Sequence, residues 1–129
     1  MINCYHTKRR TIREAMKEIG FKEEARYFTH PETDYLVEFP PGPLTVGEES
    51  VKQIHEIKYS TGILRVISPT DCVKDRLAAF YHWGDMQSLT QAIMVAQRND
   101  IDMGEIDRWS TAEGKQDQFI LIEDKLKKE

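Results

Sequence analysis

The 129-residue chain lacks several features that mark whole classes of protein. It has no apolar run near the roughly 18 residues that a membrane-spanning helix needs. The segment Met1–Arg10 has no apolar stretch behind its charges, so we expect no secretory signal. The two cysteines, Cys4 and Cys72, are far apart in sequence and indicate no disulfide framework. We therefore expect a cytoplasmic protein that does not use a membrane.

The motifs of the common catalytic chemistries are also missing. The four histidines and two cysteines do not fall at the spacings of zinc sites. There is no Gly-rich phosphate loop, no Ser-His-Asp set and no internal repeat. The net charge of −4 disfavours a protein that coats nucleic acid, although residues 1–26 hold seven Lys/Arg and four Glu, a local net charge of +3.

What the chain does contain fits one globular domain over residues 1–129. Forty per cent of its residues are hydrophobic and 31% are charged, and the length suits a single domain. Apolar residues at helical spacing predict a first helix over Thr11–Ile19. Thr11 and Glu14 have the spacing of a capping box, and Gly20 is placed to end this helix.

Short strands are predicted next. Arg26–Thr29 and Tyr35–Phe39 flank a turn-rich segment and predict a hairpin, which the stiff loop Pro40–Pro43 ends. Val51–Tyr59 and Ile63–Ile67 predict two more strands. The second of these is rich in branched residues on both faces, which indicates an interior strand. We expect a small mixed or antiparallel sheet of about four strands.

The remaining sequence predicts three to four helices. Ser68 is a strong N-cap and Gly84 a natural end for the first of them, while Asp85 and Asp102 are N-caps for the next two. A last helix is predicted over Lys115–Lys127. Strands followed by helices indicate an α+β fold.

The predicted domain thus has a sheet part, about residues 1–67, and a helical part, about residues 68–127. Trp83 and Trp109 both fall at helix ends, where we expect them to pack between helices. Cys72 lies on the first turn of a helix with no histidine near it in sequence, so we interpret it as a buried structural thiol.

Two sets of acidic residues invite a functional interpretation. Glu38 ends an otherwise apolar strand beside the proline loop, where a metal ligand or general base could lie, but a solvent-facing Glu on an edge strand is the commoner arrangement. Asp100 and Asp102 resemble a paired metal site, yet helix capping already explains Asp102. An active enzyme would need all three carboxylates to converge.

Basic residues give candidate phosphate contacts. Arg9, Arg13 and Lys17 form a helical stripe that is more simply a solvated face. Lys74 and Arg76 open a helix directly after a predicted buried strand, and the alternative is that they only pair with nearby aspartates.

The segments Tyr35–Leu44 (YLVEFPPGPL) and Ile63–Ala79 (ILRVISPTDCVKDRLAA) resemble the nucleotidyltransferase superfamily. The most similar group is the abortive-infection type nucleotidyltransferases of bacteria and archaea. In that group a strand leads into an S-P-T-D…K/R-L-A segment, matched here by Ser68–Ala79. An Asp-containing helix pair follows, matched by Asp85–Ala96. The resemblance covers about residues 12–109.

The chain departs from that pattern in one respect. The family carries a Gly-Ser turn and a paired-Asp strand that holds Mg²⁺, and neither precedes the matching region here. Of the three metal-binding carboxylates of the family, only the third has a match in this chain, which is Glu38. One carboxylate does not supply the charge stabilisation that phosphoryl transfer requires. The resemblance therefore implies a truncated or degenerate nucleotidyltransferase-like protein that is not catalytic by itself.

The resemblance implies Mg²⁺ and a nucleotide as the ligands to test, and a role in a defence or toxin–antitoxin setting. The expected site consists of Glu38 as the catalytic candidate, with Pro41, Gly42, Lys74 and Arg76 as nucleotide contacts and no metal ligands assigned. The competing hypothesis is a protein-interaction module without a nucleotide site, which pairs an open strand edge with a second copy or a partner chain.

Overall fold

In a computed structural model that describes residues 7–40 and 44–128, the chain has the mixed α+β composition that the sequence predicts. One helix comes first, short strands follow, and four helices complete the chain. The helices are α1 (Arg9–Glu18), α2 (Pro69–Trp83), α3 (Met86–Arg98), α4 (Met103–Ala112) and α5 (Gln116–Leu126). The strands are β1 (Lys22–Glu24), β2 (Tyr27–His30), β3 (Thr33–Glu38), β4 (Thr45–Val46), β5 (Glu49–Ser50), β6 (Ile54–Tyr59) and β7 (Gly62–Ile67).

The strands form three small antiparallel sheets, so the prediction of one sheet of about four strands is wrong. β1, β2 and β3 form one sheet in that order, β4 pairs with β5, and β6 pairs with β7. The β2–β3 hairpin and the strands β6 and β7 lie close to where the sequence predicts them. Among the described strands, β7 has only β6 as a neighbour, and Ile63 and Leu64 are 51% and 42% exposed, so β7 is not an interior strand.

The chain divides into two compact units. The first takes the described residues of Met1–Leu44 together with Glu56–Val66, and the second takes Thr45–His55 together with the described residues of Ile67–Glu129. In the first unit α1 contacts β1, and the core consists of Ile12, Met16 and Phe28.

Ion pairs join α1 to β1 in the first unit. Arg9 and Arg13 both bind the Glu23 carboxylate, Arg9 through an Nη2–Oε1 distance of 3.1 Å. Hydrogen bonds from Arg13 and Arg9 lower the pKa of Glu23. Arg13 and Lys17 are exposed, as a solvated face predicts, but the two arginines also pair with Glu23 across to β1. Strand β1 was not predicted because its residues are all charged. Lys8 caps α1 without a side-chain bond, so the predicted capping box at Thr11 is also wrong.

The second unit has a larger core, formed by the facing sides of the four later helices. Trp109 is fully buried at its centre and stacks on Tyr81, with ring centroids 5.9 Å apart. The Tyr81 hydroxyl shares a hydrogen bond with Ser110, and burial raises the pKa of Tyr81 to about 12. The other buried apolar residues of this core are Val46, Val73, Leu77, Leu89, Ala92, Ala96, Ile106, Phe119, Ile122 and Leu126.

The helix ends in this unit follow the sequence closely. Ser68, Asp85 and Asp102 cap α2, α3 and α4 with their side chains, and Gly84 ends α2 in the left-handed conformation. The prediction that Trp109 packs between helices is confirmed. The same prediction for Trp83 is wrong, because its side chain is 85% exposed. Within the described ranges, no helix has the length and apolar character to cross a membrane.

Candidate functional site

The second unit contains a cleft of about 490 Å³ at the point where α2 and α4 begin. Strand β5 and the segment that follows it, as far as His55, complete the lining. Most of the lining residues are polar or charged. The cleft is therefore formed entirely within one compact unit.

Hydrogen bonds from backbone amides to side chains hold the starts of α2 and α4, which line the cleft. Ser68 Oγ accepts a hydrogen bond of 3.1 Å from the Asp71 amide, which begins α2. Thr70 Oγ1 accepts one of 3.0 Å from the Asp102 amide, and Asp102 in turn caps α4 by accepting from the Glu105 amide. The hydrogen bond from the Asp102 amide to Thr70 thus joins the start of α4 to the first turn of α2.

A chain of charged groups crosses the cleft from α2 to β5. Lys74 Nζ lies 2.9 Å from Glu105 Oε1 and 3.5 Å from Asp71 Oδ1, and the Lys74 side chain is only 8% exposed. Arg108 binds Glu105 through both its Nε and Nη2 atoms, and it binds Glu49 on β5 through Nη1 and Nη2. Two cations therefore converge on one carboxylate, that of Glu105.

These contacts change the acidity of the groups. Hydrogen bonds from Arg108 and then Lys74 lower the pKa of Glu105 to about 2. The Arg108 bond also lowers the pKa of Glu49, and the two carboxylates raise the pKa of Arg108. These shifts all favour the charged forms of Glu105, Glu49 and Arg108.

The lining carries more negative than positive charge. Lys52, Lys74 and Arg108 line the cleft together with five carboxylates, two of which have partners other than these cations. Asp102 caps α4, and Asp100 pairs with Lys128 at 2.8 Å. Among the ion pairs of the described residues, none involves Lys52, which leaves this ammonium group open to a ligand.

The structure separates the residues that the sequence nominated. Lys74 lines the cleft, whereas Arg76 bonds to Asp75 and to Gln91 on α3 and is not part of the lining. Glu38 belongs to the first unit, at the end of the edge strand β3. Pro41 and Gly42 lie outside the described residues.

Glu38 has the surroundings of a surface carboxylate. Its side chain is 40% exposed, and its ion pair with Arg26 has an Nε–Oε1 distance of 3.8 Å. Asp100 and Asp102, its two proposed partners in an active enzyme, belong to the second unit. Over residues 7–40 and 44–128, no three His, Cys, Asp or Glu side chains are grouped to hold a metal ion. The described residues therefore do not fit a Mg²⁺ held by the protein alone.

Cys72 lies on the first turn of α2 and is half-buried. Burial, followed by the nearby Asp75, raises the pKa of its thiol, which favours the uncharged form. A thiol held in this form is a poor nucleophile. Cys72 is thus less buried than the buried structural thiol that the sequence predicts.

Sequence reasoning missed Glu105 and Arg108 as parts of a site, although their i,i+3 spacing on a helix is a readable pairing signal. It could not find Glu49, which lies 59 residues from Arg108. Comparisons with protein-family models, with curated proteins and with solved structures found no match to this chain.

Proposed function

We propose that the chain is a nucleotidyltransferase-like protein that does not catalyse transfer by itself and binds a nucleotide in the cleft at the start of α2. The proposal is supported by the S-P-T-D segment from which the sequence resemblance arises. Ser68, Pro69, Thr70, Asp71 and Lys74 of this segment all line the cleft. The family likeness and the cleft therefore coincide on the same residues.

The observation that carries the proposal is the buried ammonium group of Lys74 in a cleft of suitable size. Ligand sites usually measure about 300–1,000 Å³, and this cleft measures about 490 Å³. A lysine is seldom buried in a protein unless it is paired. Lys74 is paired with Glu105 and Asp71, and it also lines the cleft. Lys52 and the exposed His55 add donors at the rim of the cleft.

Absence of catalysis by this chain alone follows from the residues that phosphoryl transfer needs. That reaction depends on metal ions and positioned charges to stabilise the transferring group. The paired aspartates of the family have no counterpart in the sequence, and the proposed binding does not depend on an ion held by the protein. A role in defence or in a toxin–antitoxin pair remains a proposal that rests on the resemblance.

Nucleotide binding can be tested by titrating ATP and CTP, each with and without Mg²⁺, while amide shifts are followed by NMR. We expect saturable shifts at Thr70, Lys74 and Lys52. Lys52→Gln should weaken binding about three- to tenfold, because one cation near a phosphate is lost in a partly solvated site. Lys58→Gln is the matched control, since Lys58 is an exposed lysine of the first unit. Absence of shifts at Lys74 at millimolar nucleotide would refute the proposal.

A second candidate function is self-association through the first unit. Strands β3, β6 and β7 leave several large apolar side chains exposed, and a two-stranded sheet such as β6–β7 is only marginally stable without further packing. A second copy of the chain could pair with the open strand edges. The exposed residues are Tyr35, Leu36, Ile57, Tyr59, Ile63 and Leu64.

Sedimentation distinguishes this candidate from nucleotide binding alone. A dimer should form at micromolar concentration, and Ile63→Thr should weaken it while keeping a branched residue in the strand. Leu121→Gln on α5 is the control, since it removes an exposed apolar side chain of the second unit. A monomer at high micromolar concentration would contradict self-association.

A further inference from the structure

We propose that Glu105 is a built-in competitor of the ligand, because its carboxylate occupies the position between Lys74 and Arg108 that a ligand phosphate would take. The inference rests on the proposed function for the identity of the ligand, a nucleotide or another polyphosphate. It adds that the anion site is closed by a side chain of the protein itself. Ligand binding then requires this side chain to move aside.

The geometry at Glu105 is that of a bound anion. Arg108 donates from Nε to Oε2 at 2.7 Å and from Nη2 to Oε1 at 2.6 Å, while Lys74 Nζ lies 2.9 Å from Oε1. The planar guanidinium group binds carboxylate and phosphate through the same paired donors. Two cations placed around one carboxylate can therefore also bind a phosphate.

Glu105 is free to leave this position without loss of α4. The helix is capped by Asp102, which bonds to the Glu105 backbone amide and not to its side chain. The Glu105 side chain is 33% exposed and lines the cleft, so it can rotate toward solvent. The other carboxylates near the cations have less freedom, because Asp71 is within the first turn of α2 and Glu49 is fixed on β5.

Arg108 would keep a carboxylate partner after Glu105 moves aside. It holds Glu49 as well as Glu105, with Nη2 2.7 Å from Glu49 Oε1. When a phosphate displaces Glu105, Arg108 can keep its bond to β5 and turn its free donors to the ligand. Lys74 keeps Asp71 as a partner, so neither cation is left without an opposite charge.

The decisive experiment measures the affinity of the full chain for inorganic triphosphate and for ATP by calorimetry. Glu105→Gln keeps the shape of the side chain and removes its charge. We expect it to bind triphosphate about tenfold or more tightly than the natural chain, since a competing unit charge a few ångströms from the phosphates is removed. Glu123→Gln removes a charge on α5 instead, and it controls for the change in net charge. It should leave the affinity within about twofold, because Glu123 is not among the residues that line the cleft.

A second variant keeps the test decisive if Glu105→Gln does not fold. Glu105→Asp retains the charge but shortens the side chain by one methylene, which withdraws the carboxylate from Lys74 and Arg108. It should raise the affinity for triphosphate by a smaller factor. Tighter binding in either folded variant, and not in Glu123→Gln, supports the inference.

Failure of the inference differs from failure of the proposed function. If the natural chain binds ATP and the Glu105 variants bind triphosphate no more tightly, the inference is overturned and the proposed function stands. If the Glu105 variants bind triphosphate tightly but no form of the chain binds ATP or CTP, the proposed function is overturned and the competing role of Glu105 stands. Absence of binding by every form overturns both.

Discussion

The Trp109 indole Nε1 donates a hydrogen bond to the Val46 carbonyl oxygen, 3.3 Å away, and so joins α4 to strand β4 inside the core of the second unit. Val46 is itself 97% buried, and no solvent reaches this bond from the Trp109 side. The short β4–β5 hairpin, which borders the cleft, is therefore held in place by a core side chain. Its position depends on packing rather than on its own two-residue strands.

Replacement of Trp109 by Phe tests that anchor. The variant should lose about 1–3 kcal/mol of unfolding free energy, because it leaves a buried carbonyl without a donor and removes packed volume. Urea denaturation measures the loss. Trp83→Phe is the control and should change stability by no more than about 0.5 kcal/mol, since Trp83 is 85% exposed. Equal effects of the two changes would contradict the structure.

The turn between β4 and β5 is sensitive to a side chain at Gly47. This glycine has φ +59°, and a Cβ there would collide with Glu113 Oε1, which accepts a hydrogen bond from the Glu48 amide. Gly47→Ala should therefore destabilise by left-handed strain of about 1–2 kcal/mol, and further by about 1 kcal/mol for the disrupted bond.

Gly84→Ala is the matched control for this prediction. Gly84 has φ +65°, but its Cβ would meet no atom within 4 Å. Only the left-handed strain should appear in its unfolding free energy. A Gly47→Ala variant no less stable than Gly84→Ala would show that Glu113 does not occupy this position.

The N-cap of α2 should contribute measurably to stability. Ser68→Ala removes the acceptor of the Asp71 amide and should cost about 1 kcal/mol in unfolding free energy. Lys115→Ala is the control at the start of α5, where the N-cap residue makes no side-chain bond. Thermal unfolding of both variants should show a clear drop in Tm for Ser68→Ala alone.

The contribution of Glu105 to the stability of the chain should depend on pH in the acid range. Its folded pKa of about 2 lies below the ordinary value of 4.5, so its contribution is complete above pH 4.5 and is lost as the pH falls toward 2. The difference in Tm between the natural chain and Glu105→Gln should therefore shrink over this range. A difference that stays constant from pH 5 to pH 2 would contradict the ion pairs of Glu105.

The sequence could predict features that depend on neighbouring residues. Ser68 and Asp102 were identified as caps because each bonds to an amide three residues further along the chain. The strands β6 and β7 were both predicted, but Ile63–Ile67 was misjudged as interior. Branched residues favour strands in general, and they do not reveal how many neighbours a strand will have.

The cleft could be predicted only in part for the same reason. Lys74 was nominated because it opens a helix directly after a predicted buried strand. The partner that completes its charge cluster, Arg108, is 34 positions away along the chain, and the contact of Arg108 with Glu49 spans 59 residues. Such pairings arise from the packing of α4 on α2 and β4, for which a single sequence contains no local signal.

The hydrogen bond between Trp109 and Val46 also determines which truncated fragments of the chain keep the core of the second unit intact. A fragment that begins at Ser68, where the strands give way to helices, would contain all four later helices and yet leave the Trp109 indole N–H without its acceptor. A fragment that begins at Thr45 keeps the acceptor, the hairpin and Glu49 together. The smallest piece of this protein worth expressing for the cleft therefore starts 24 residues before α2.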